Sequence, residues 1–341
     1  MRRLLLVAVF LLALAGLGGL LANGWLERGV TQAGPHASAV RIVVPAGASA
    51  RSVLRLLADA GTVAEPTAAE WWLRLRGRTL RVRSGTYEIP AGASVREAFE
   101  RIGTGRVVLE TLTVVEGWTF AQMRRAVEAH PRVRVTLRGR SAEEIMATLG
   151  ARGLHPEGRF FPDTYRFADG TTDVELYRLA RRQLDAALAE AWQQRAPDLP
   201  LRTPDELLTL ASVVEKETGK AAERPRIAGV FVSRLRSGMR LQSDPTVIYG
   251  IGDRYDGDIR SRDLGLDTPW NTYTRHGLPA TPIALVGREA LQAVARPEVT
   301  GDLFFVATGE ADGGHVFTRT YADHQAAVQR MLQRQRERGL L

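Results

Sequence analysis

The stretch T-P-D-E-L-L-T-L-A-S-V-V-E-K-E-T-G-K, Thr203 to Lys220, reads as one helix with a sharp start and a charged end. Thr203 is placed to cap it, Pro204 suits the first helical position, and Glu206 stands three residues after Thr203 as in a capping box. Gly219 marks the stop. Between them Leu207, Leu208, Leu210, Ala211, Val213 and Val214 leave little polar circumference. The pattern predicts a buried helix over Pro204–Thr218 that delivers two carboxylates, Glu215 and Glu217, to its end.

A carboxyl group at the lip of a buried helix has its charged form disfavoured by desolvation, which raises its pKa toward neutrality. That is the requirement for a general acid. Glu215 and Glu217 stand about 200° apart around a helix, so at most one faces a given cleft. Periodicity alone equally permits an ordinary helix end, with Lys216 and Lys220 placed where cations are favourable.

Working outward, helical patterns fall at Phe120–Ala129, Ala142–Leu149, Val174–Arg195, Arg224–Arg236, Arg288–Ala295 and Tyr321–Leu340. Strand candidates are Leu109–Val115, Arg132–Leu137 and Asp302–Ala307. Upstream, V-P-A-G-A-S-A-R-S-V from Val44 is echoed by I-P-A-G-A-S-V-R-E-A from Ile89 and more weakly by V-E-G-W-T-F-A-Q-M from Val115. Each copy puts an apolar strand-like segment before a Gly turn, then a Ser or Thr able to cap a short helix. The uneven spacing excludes a solenoid. The fold class is α+β: a small module of strand, turn and helix, then a larger, mainly helical mixed domain.

The N-terminus gives the address. Arg2 and Arg3 precede an uncharged run from Leu4 to Leu26, long enough to cross a bilayer, with Trp25 where an interfacial aromatic belongs. The positive flank should stay in the cytoplasm. Leu20-Leu21-Ala22 lacks a small-x-small cleavage pattern, which favours a retained anchor over a signal peptide. No cysteine occurs, excluding a lipoprotein anchor, disulfides and thiolate chemistry. The expected organisation is an anchor over 1–26, a linker over 27–37, a module over 38–106 and a catalytic domain over 107–341.

The net charge of +8 and pI near 10.3 come from Arg scattered through every segment, with no nucleic-acid motif or basic helix. An anionic membrane or polymer suits that charge better than nucleic acid. The histidines lack metal-ligand spacing, and there is no phosphate-binding glycine loop or G-x-S-x-G elbow. No metal and no cofactor is expected. L-Q-S-D-P-T-V-I-Y-G from Leu241 and P-W-N-T-Y-T-R-H-G-L-P from Pro269 mix amide, carboxylate, hydroxyl and aromatic groups, the combination that binds sugars, and E-G-R-F-F-P-D-T-Y-R-F from Glu157 is a third such segment.

A-S-V-V-E-K-E-T at 211–218, R-L-R-S-G-M-R-L-Q-S-D-P-T-V-I-Y-G at 234–250, N-T-Y at 271–273, F-P-D-T-Y at 161–165 and G-G-H-V-F at 313–317 together resemble the YceG-like family. The resemblance is most specific over 157–320. It departs at P-A-T-P-I-A-L-V-G, 279–287, where an Asn and a Pro usual in the family are missing. It implies a lytic transglycosylase that cleaves the β-1,4 bond between N-acetylmuramic acid and N-acetylglucosamine in peptidoglycan strands, terminating their elongation and leaving 1,6-anhydro ends. It places the catalytic acid at Glu215, gives Glu217 a supporting role, and makes Gln242, Asp244, Asn271 and Tyr273 candidates for orienting acid or glycan. It further implies a LysM-like glycan-binding module, a single-pass inner-membrane protein with its body in the periplasm, and peptidoglycan synthases as candidate partners. Two other readings stay open: a lysozyme-like hydrolase pairing Glu215 with a base such as Asp244, and an anchored scaffold that binds peptidoglycan without cutting it.

Overall fold

The computed structural model describes residues 2–76, 80–310 and 313–338. Met1, where the expected anchor begins, and Leu340 and Leu341, the expected ends of the last helix and of the catalytic domain, lie outside the described residues. The chain divides into two compact units, one of residues up to Glu110 with Arg166–Gly170, the other of Thr111–Tyr165 with Thr171 onward.

The first unit begins with helix α1 (Arg2–Thr31). Its apolar part is exposed, and its last turns pack on the unit's other helices. Strand β1 (Val40–Val44), helices α2 (Ala50–Asp59) and α3 (Pro66–Arg76), strand β2 (Gly85–Ile89) and helix α4 (Val95–Thr104) follow. β1 pairs antiparallel with β2 in the register Val40 to Ile89 and Val44 to Gly85. The two strong repeats are structurally alike: each strand runs through a turn into a helix closed by a capping box, at Ser49 and at Ser94. Between the sheet and the helices, Ile42, Leu57, Tyr87, Ile89, Phe99 and Ile102 form a core in which Val30 of α1 is also fully buried. The helix thus continues into the segment expected to be a linker.

In the second part of the chain, β3 (Leu109–Thr113) pairs with β4 (Thr164–Ala168). The third repeat leads from β3 through Gly117 to Thr119, which caps α5 (Phe120–Ala129) with a capping box. α6 (Ala142–Thr148) and the long α7 (Asp173–Gln193) precede α8 (Pro204–Glu217), α9 (Arg224–Arg236), α10 (Asp244–Ile251), the short α11 (Ser261–Leu264) and α12 (Arg288–Ala295). A hairpin of β5 (Phe304–Ala307) and β6 (His315–Thr318) precedes α13 (Tyr321–Glu337).

α8 is the hub, packed against α7, α9, α10 and α12. Its residues from Leu207 to Val214 are buried, in a core completed by Ile227, Phe231, Ile283, Val286 and Leu291. Burying one such Leu or Val side chain stabilises by roughly 1.5–3 kcal/mol, which holds the helix in this central place despite its β-branched residues.

Two local expectations are corrected. Arg132–Leu137 makes only an isolated bridge, Arg134 to Thr172. The N–H groups of Thr136 and Leu137 instead donate to the Asp173 carboxylate at 2.9 and 2.8 Å, so a side chain takes the place of a partner strand. At the start of α8, Thr203 Oγ1 accepts from Glu206 N–H as expected, but the Glu206 carboxylate accepts from Arg202 N–H, one residue before the cap.

Candidate active site at the end of α8

The last turn of α8 sends its two carboxylates into different surroundings. Glu215 turns inward, its side chain only 3% exposed. Its Oε2 accepts from the main-chain N–H of Gly287, the residue capping α12, at 2.9 Å. Its Oε1 accepts from Arg224 Nη2 at 3.3 Å. Arg224, itself buried at the start of α9, also pairs with Glu289 and lies 3.9 Å from the Glu116 carboxylate. Burial pushes the Glu215 carboxyl up from its ordinary range; the Gly287 N–H opposes this, Glu116 adds to it, Arg224 opposes it, and Glu289 adds to it.

The segment 279–287, where the family resemblance weakens, is well anchored. Ile283, Ala284, Leu285 and Val286 are buried, Ile283 N–H donates to Ser212 Oγ at 2.9 Å, and Leu285 N–H donates to Trp118 O at 2.7 Å. Main-chain bonds hold Gly287 over Glu215 without the missing Asn and Pro.

Glu217 opens toward a cleft of about 330 Å³, lined also by Arg234, Gln242, Asp244, Tyr273, Phe304, Phe305, Tyr321 and His324. Its Oε1 accepts a hydrogen bond from Ser243 Oγ. The residue keeps partial exposure at the cleft while protein packs densely around its carboxyl. This desolvation pushes the pKa up to about 7; the Ser243 bond pulls against it, the Asp244 charge adds to it, and Arg234 pulls it back.

The cleft walls are built from backbone constraints. Gln242 has φ of 50°, the only non-glycine among the described residues with positive φ, a conformation disfavoured outside Gly and Asn. Gln242 N–H is tied to Thr272 O at 3.2 Å and Ser243 N–H to Thr272 Oγ1 at 3.0 Å. Tyr273 Oη donates to Asp244 Oδ1 at 2.6 Å. Arg234 donates through Nε to Leu303 O at 2.7 Å and through Nη1 to Leu241 O, and its guanidinium lies 5.4 Å from the Phe304 ring. A desolvated carboxyl, a second carboxylate, amide and phenol groups and aromatic faces thus share one opening, as sugar recognition and acid catalysis require.

A family model for the YceG-like family matches residues 42–330. The chain belongs to the YceG-like family. This YceG-like chain is 27% identical over 323 residues to the endolytic murein transglycosylase of Bacillus subtilis (strain 168), covering 88% of this chain and 86% of that one. It is 26% identical over 326 residues to the endolytic murein transglycosylase of Streptococcus pneumoniae serotype 2 (strain D39 / NCTC 7466), covering 85% of this chain but 58% of that longer protein. Its fold is similar to the crystal structure of a yceG-like protein from Listeria monocytogenes, with a TM-score of 0.54 and 25% identity over 85% of this chain and 99% of the other.

In this YceG-like chain the residues singled out from sequence separate into groups. Gln242, Asp244 and Tyr273 gather around Glu217, and Glu215 is not among the residues lining their cleft. Asn271 is buried, its amide donating to Leu264 O and Leu266 O at 3.0 and 2.7 Å and its Oδ1 accepting from Tyr273 N–H at 2.8 Å, which shapes the loop presenting Tyr273. Sequence reasoning missed Arg224, Gly287, Ser243, Arg234 and the aromatic wall of Phe304, Tyr321 and His324. Arg234 and Ser243 stand in the 234–250 segment and Gly287 ends the 279–287 segment, so these three had a local signal. Arg224, Phe304, Tyr321 and His324 reach the site from elements whose packing no short pattern records. Among the described residues, no group of three or more His, Asp or Glu side chains could hold a metal ion.

Proposed function

We propose that this protein is a membrane-anchored lytic transglycosylase that cuts the β-1,4 bond between N-acetylmuramic acid and N-acetylglucosamine inside peptidoglycan strands, leaving 1,6-anhydro ends and ending strand elongation. Family membership and the names of the Bacillus and Streptococcus relatives support the reaction class. The observation that carries the chemistry is a carboxyl pushed up to about 7 inside a sugar-sized cleft, that of Glu217.

The geometry favours Glu217 as the acid, in place of the Glu215 that the resemblance implies. A general acid must reach the glycosidic oxygen. Glu217 lines the cleft and keeps partial exposure, although protein packs more densely around its carboxyl than around that of Glu215. The Glu215 side chain is nearly sealed, is not part of the cleft lining, and is held by Arg224 and Gly287. Protonated Glu217 would donate to the leaving oxygen as the C1–O bond breaks. The resulting carboxylate would then take the proton from the muramic C6 hydroxyl as that oxygen bonds to C1. Water is not consumed, so no second carboxylate is needed to activate it, unlike in the two-carboxylate hydrolases. Gln242, Asp244 and Tyr273 are suited to hold the sugar, and Glu215 fixes the end of α8. The second reading keeps Glu215 as acid, on the observation that burial raises its carboxyl too.

The order β1, α2, α3, β2 with antiparallel strands supports a LysM-like glycan-binding role for the module at 38–106. The apolar helix behind Arg2 and Arg3 supports a single-pass inner-membrane anchor with the N-terminus cytoplasmic and the body periplasmic, where peptidoglycan synthases would be accessible as partners.

The test is mass spectrometry of peptidoglycan digested by the detergent-solubilised full chain beside Glu217→Gln and Glu215→Gln. New 1,6-anhydro ends that vanish in a folded Glu217→Gln and persist in Glu215→Gln establish the reaction and its acid. The opposite pattern moves the acid to Glu215. Reducing ends one water heavier mean a hydrolase, and glycan binding without new ends means a scaffold.

A further inference from the structure

α1 is longer than a bilayer requires. At about 1.5 Å per residue, some 20 residues cross a hydrocarbon core of about 30 Å. A span beginning at Leu4 therefore reaches the far boundary near Asn23, yet the helix continues to Thr31. Its last turns belong to the folded module. Val30 is fully buried, Gly29 sits so close to Ala68 of α3 that any Cβ would overlap it, and Glu27 pairs with Arg76 of α3 and Arg96 of α4.

These contacts fix how α3 runs. Ala68, near its start, is level with Gly29, while Arg76 at its end donates to Asn23 Oδ1 at 2.8 Å and pairs with Glu27. The two helices are antiparallel, so α3 descends along α1 toward the level where α1 leaves the hydrocarbon. The side chains it carries there are unusual for a water-facing surface. Leu75 is 67% exposed and Trp71, one turn before it on the same face, is 49% exposed, whereas adjacent Trp72 is buried in the module core. Trp25 of α1, at the same level, is 41% exposed. The Arg74 guanidinium lies 5.0 Å from the Trp71 ring. Amphipathic indoles with cations beside them are the side chains that settle at the headgroup boundary.

We propose that α3 is a membrane-interfacial helix, with Trp71, Leu75 and Trp25 seated in the headgroup region of the leaflet through which α1 emerges. The occupant of this apolar face is the bilayer, because the face is continuous with the spanning helix and lies at the depth where that helix exits. The inference rests on the reading of α1 as a membrane span. The module is then held on the lipid surface by two helices.

The chain has no cysteine, so single spin-labelled cysteines report depth without background. The full chain would carry Leu75→Cys, Trp71→Cys, Leu12→Cys in the middle of α1, or Arg51→Cys on the exposed side of α2, each reconstituted in phosphatidylethanolamine–phosphatidylglycerol vesicles. Collisions with a water-soluble nickel chelate and with oxygen are compared by electron paramagnetic resonance. The expected result is that labels at 75 and 71 lose most nickel collisions and gain oxygen collisions, at a depth between those at 12 and 51. If the label at 12 is deep while those at 75 and 71 match the aqueous label at 51, the interfacial helix is overturned and the anchor stands. If the label at 12 is aqueous too, the anchor reading fails and the inference with it.

Discussion

Gly287 donates its main-chain N–H to Glu215 Oε2 at 2.9 Å, so the cap of α12 clamps the end of α8. The approach is close: a Cβ on Gly287 would overlap the Glu116 carboxyl. Glu116 is 47% exposed and can swing away, so Gly287→Ala should cost about 1 kcal/mol. Gly287→Pro adds the Cβ and two further ring carbons at a φ of −77° that proline accepts, and also removes the N–H. It should cost a further 1–3 kcal/mol or so, since a buried oxygen loses its donor. Urea denaturation of both variants gives by difference an upper bound on the bond, since the ring carbons add a cost of their own; equal losses would mean that the clamp contributes nothing.

With Glu217 as the proposed acid, which must start protonated, catalysis should fall with rising pH through about 7. Ser243→Ala removes a bond that favours the charged carboxyl and should move this alkaline limb of kcat to higher pH. Asp244→Asn removes a charge that disfavours it and should move the limb lower. Steady-state rates on purified glycan strands across pH 5 to 9 provide the check, and limbs that stay in place in both variants would remove Glu217 from the role of acid.

Arg224→Ala takes the cation from a cluster of three carboxylates, those of Glu116, Glu215 and Glu289. Breaking a buried ion pair typically costs about 3–5 kcal/mol. The loss should be largest at pH 8, where Glu215 would be left charged and uncompensated, and smaller at pH 5, where it can take up a proton. Adding Glu215→Gln should recover part of it. Denaturation at the two pH values tests this, and a loss independent of pH would assign the effect to packing alone.

Glu157 accepts from Phe120 N–H at 2.9 Å and from Tyr249 Oη at 3.0 Å, and burial pushes its carboxyl up to about 7. A carboxyl raised in the fold above its unfolded value favours the native state below about pH 4.5. That contribution is lost as pH rises toward 7. Glu157→Gln keeps an acceptor for Phe120 and offers a donor to Tyr249. It should therefore be more stable than the parent at pH 8, by on the order of 3 kcal/mol at most, with the gain vanishing near pH 4. Chemical denaturation at pH 4 and 8 decides it; a destabilised variant at pH 8 would mean that the charged form is well solvated.

Much of the secondary structure was legible because its signals are local. α5, α9 and α12 occupy the residues that periodicity marks, and the three repeats each carry a strand and a capped helix. α10 was hidden inside a segment read for its polar chemistry, although Asp244-Pro245 opens it with a proline in the first turn. α3 was missed because its apolar residues point two ways, Trp72 to the core and Trp71 and Leu75 outward. At the site, a buried helix ending in carboxylates follows from sequence, as does their divergence. Which of the two opens to a cleft does not, since that depends on Gly287 and Arg224 on one side and on Ser243 and the α13 wall on the other. Those contacts are set by packing between elements far apart in sequence.

Where the exposed apolar run of α1 ends and its packed turns begin bears on how a soluble form of this protein would be made. Cutting at residue 38, the nominal start of the module, would discard Val30 from the core and remove Glu27 from both Arg76 and Arg96. The same excision by a peptidase in the cell would leave a module with a hole where Val30 packs and without the Glu27 carboxylate that Arg76 and Arg96 share. A water-soluble version should begin no later than Leu26, retaining the final turns of the helix as its first structural element.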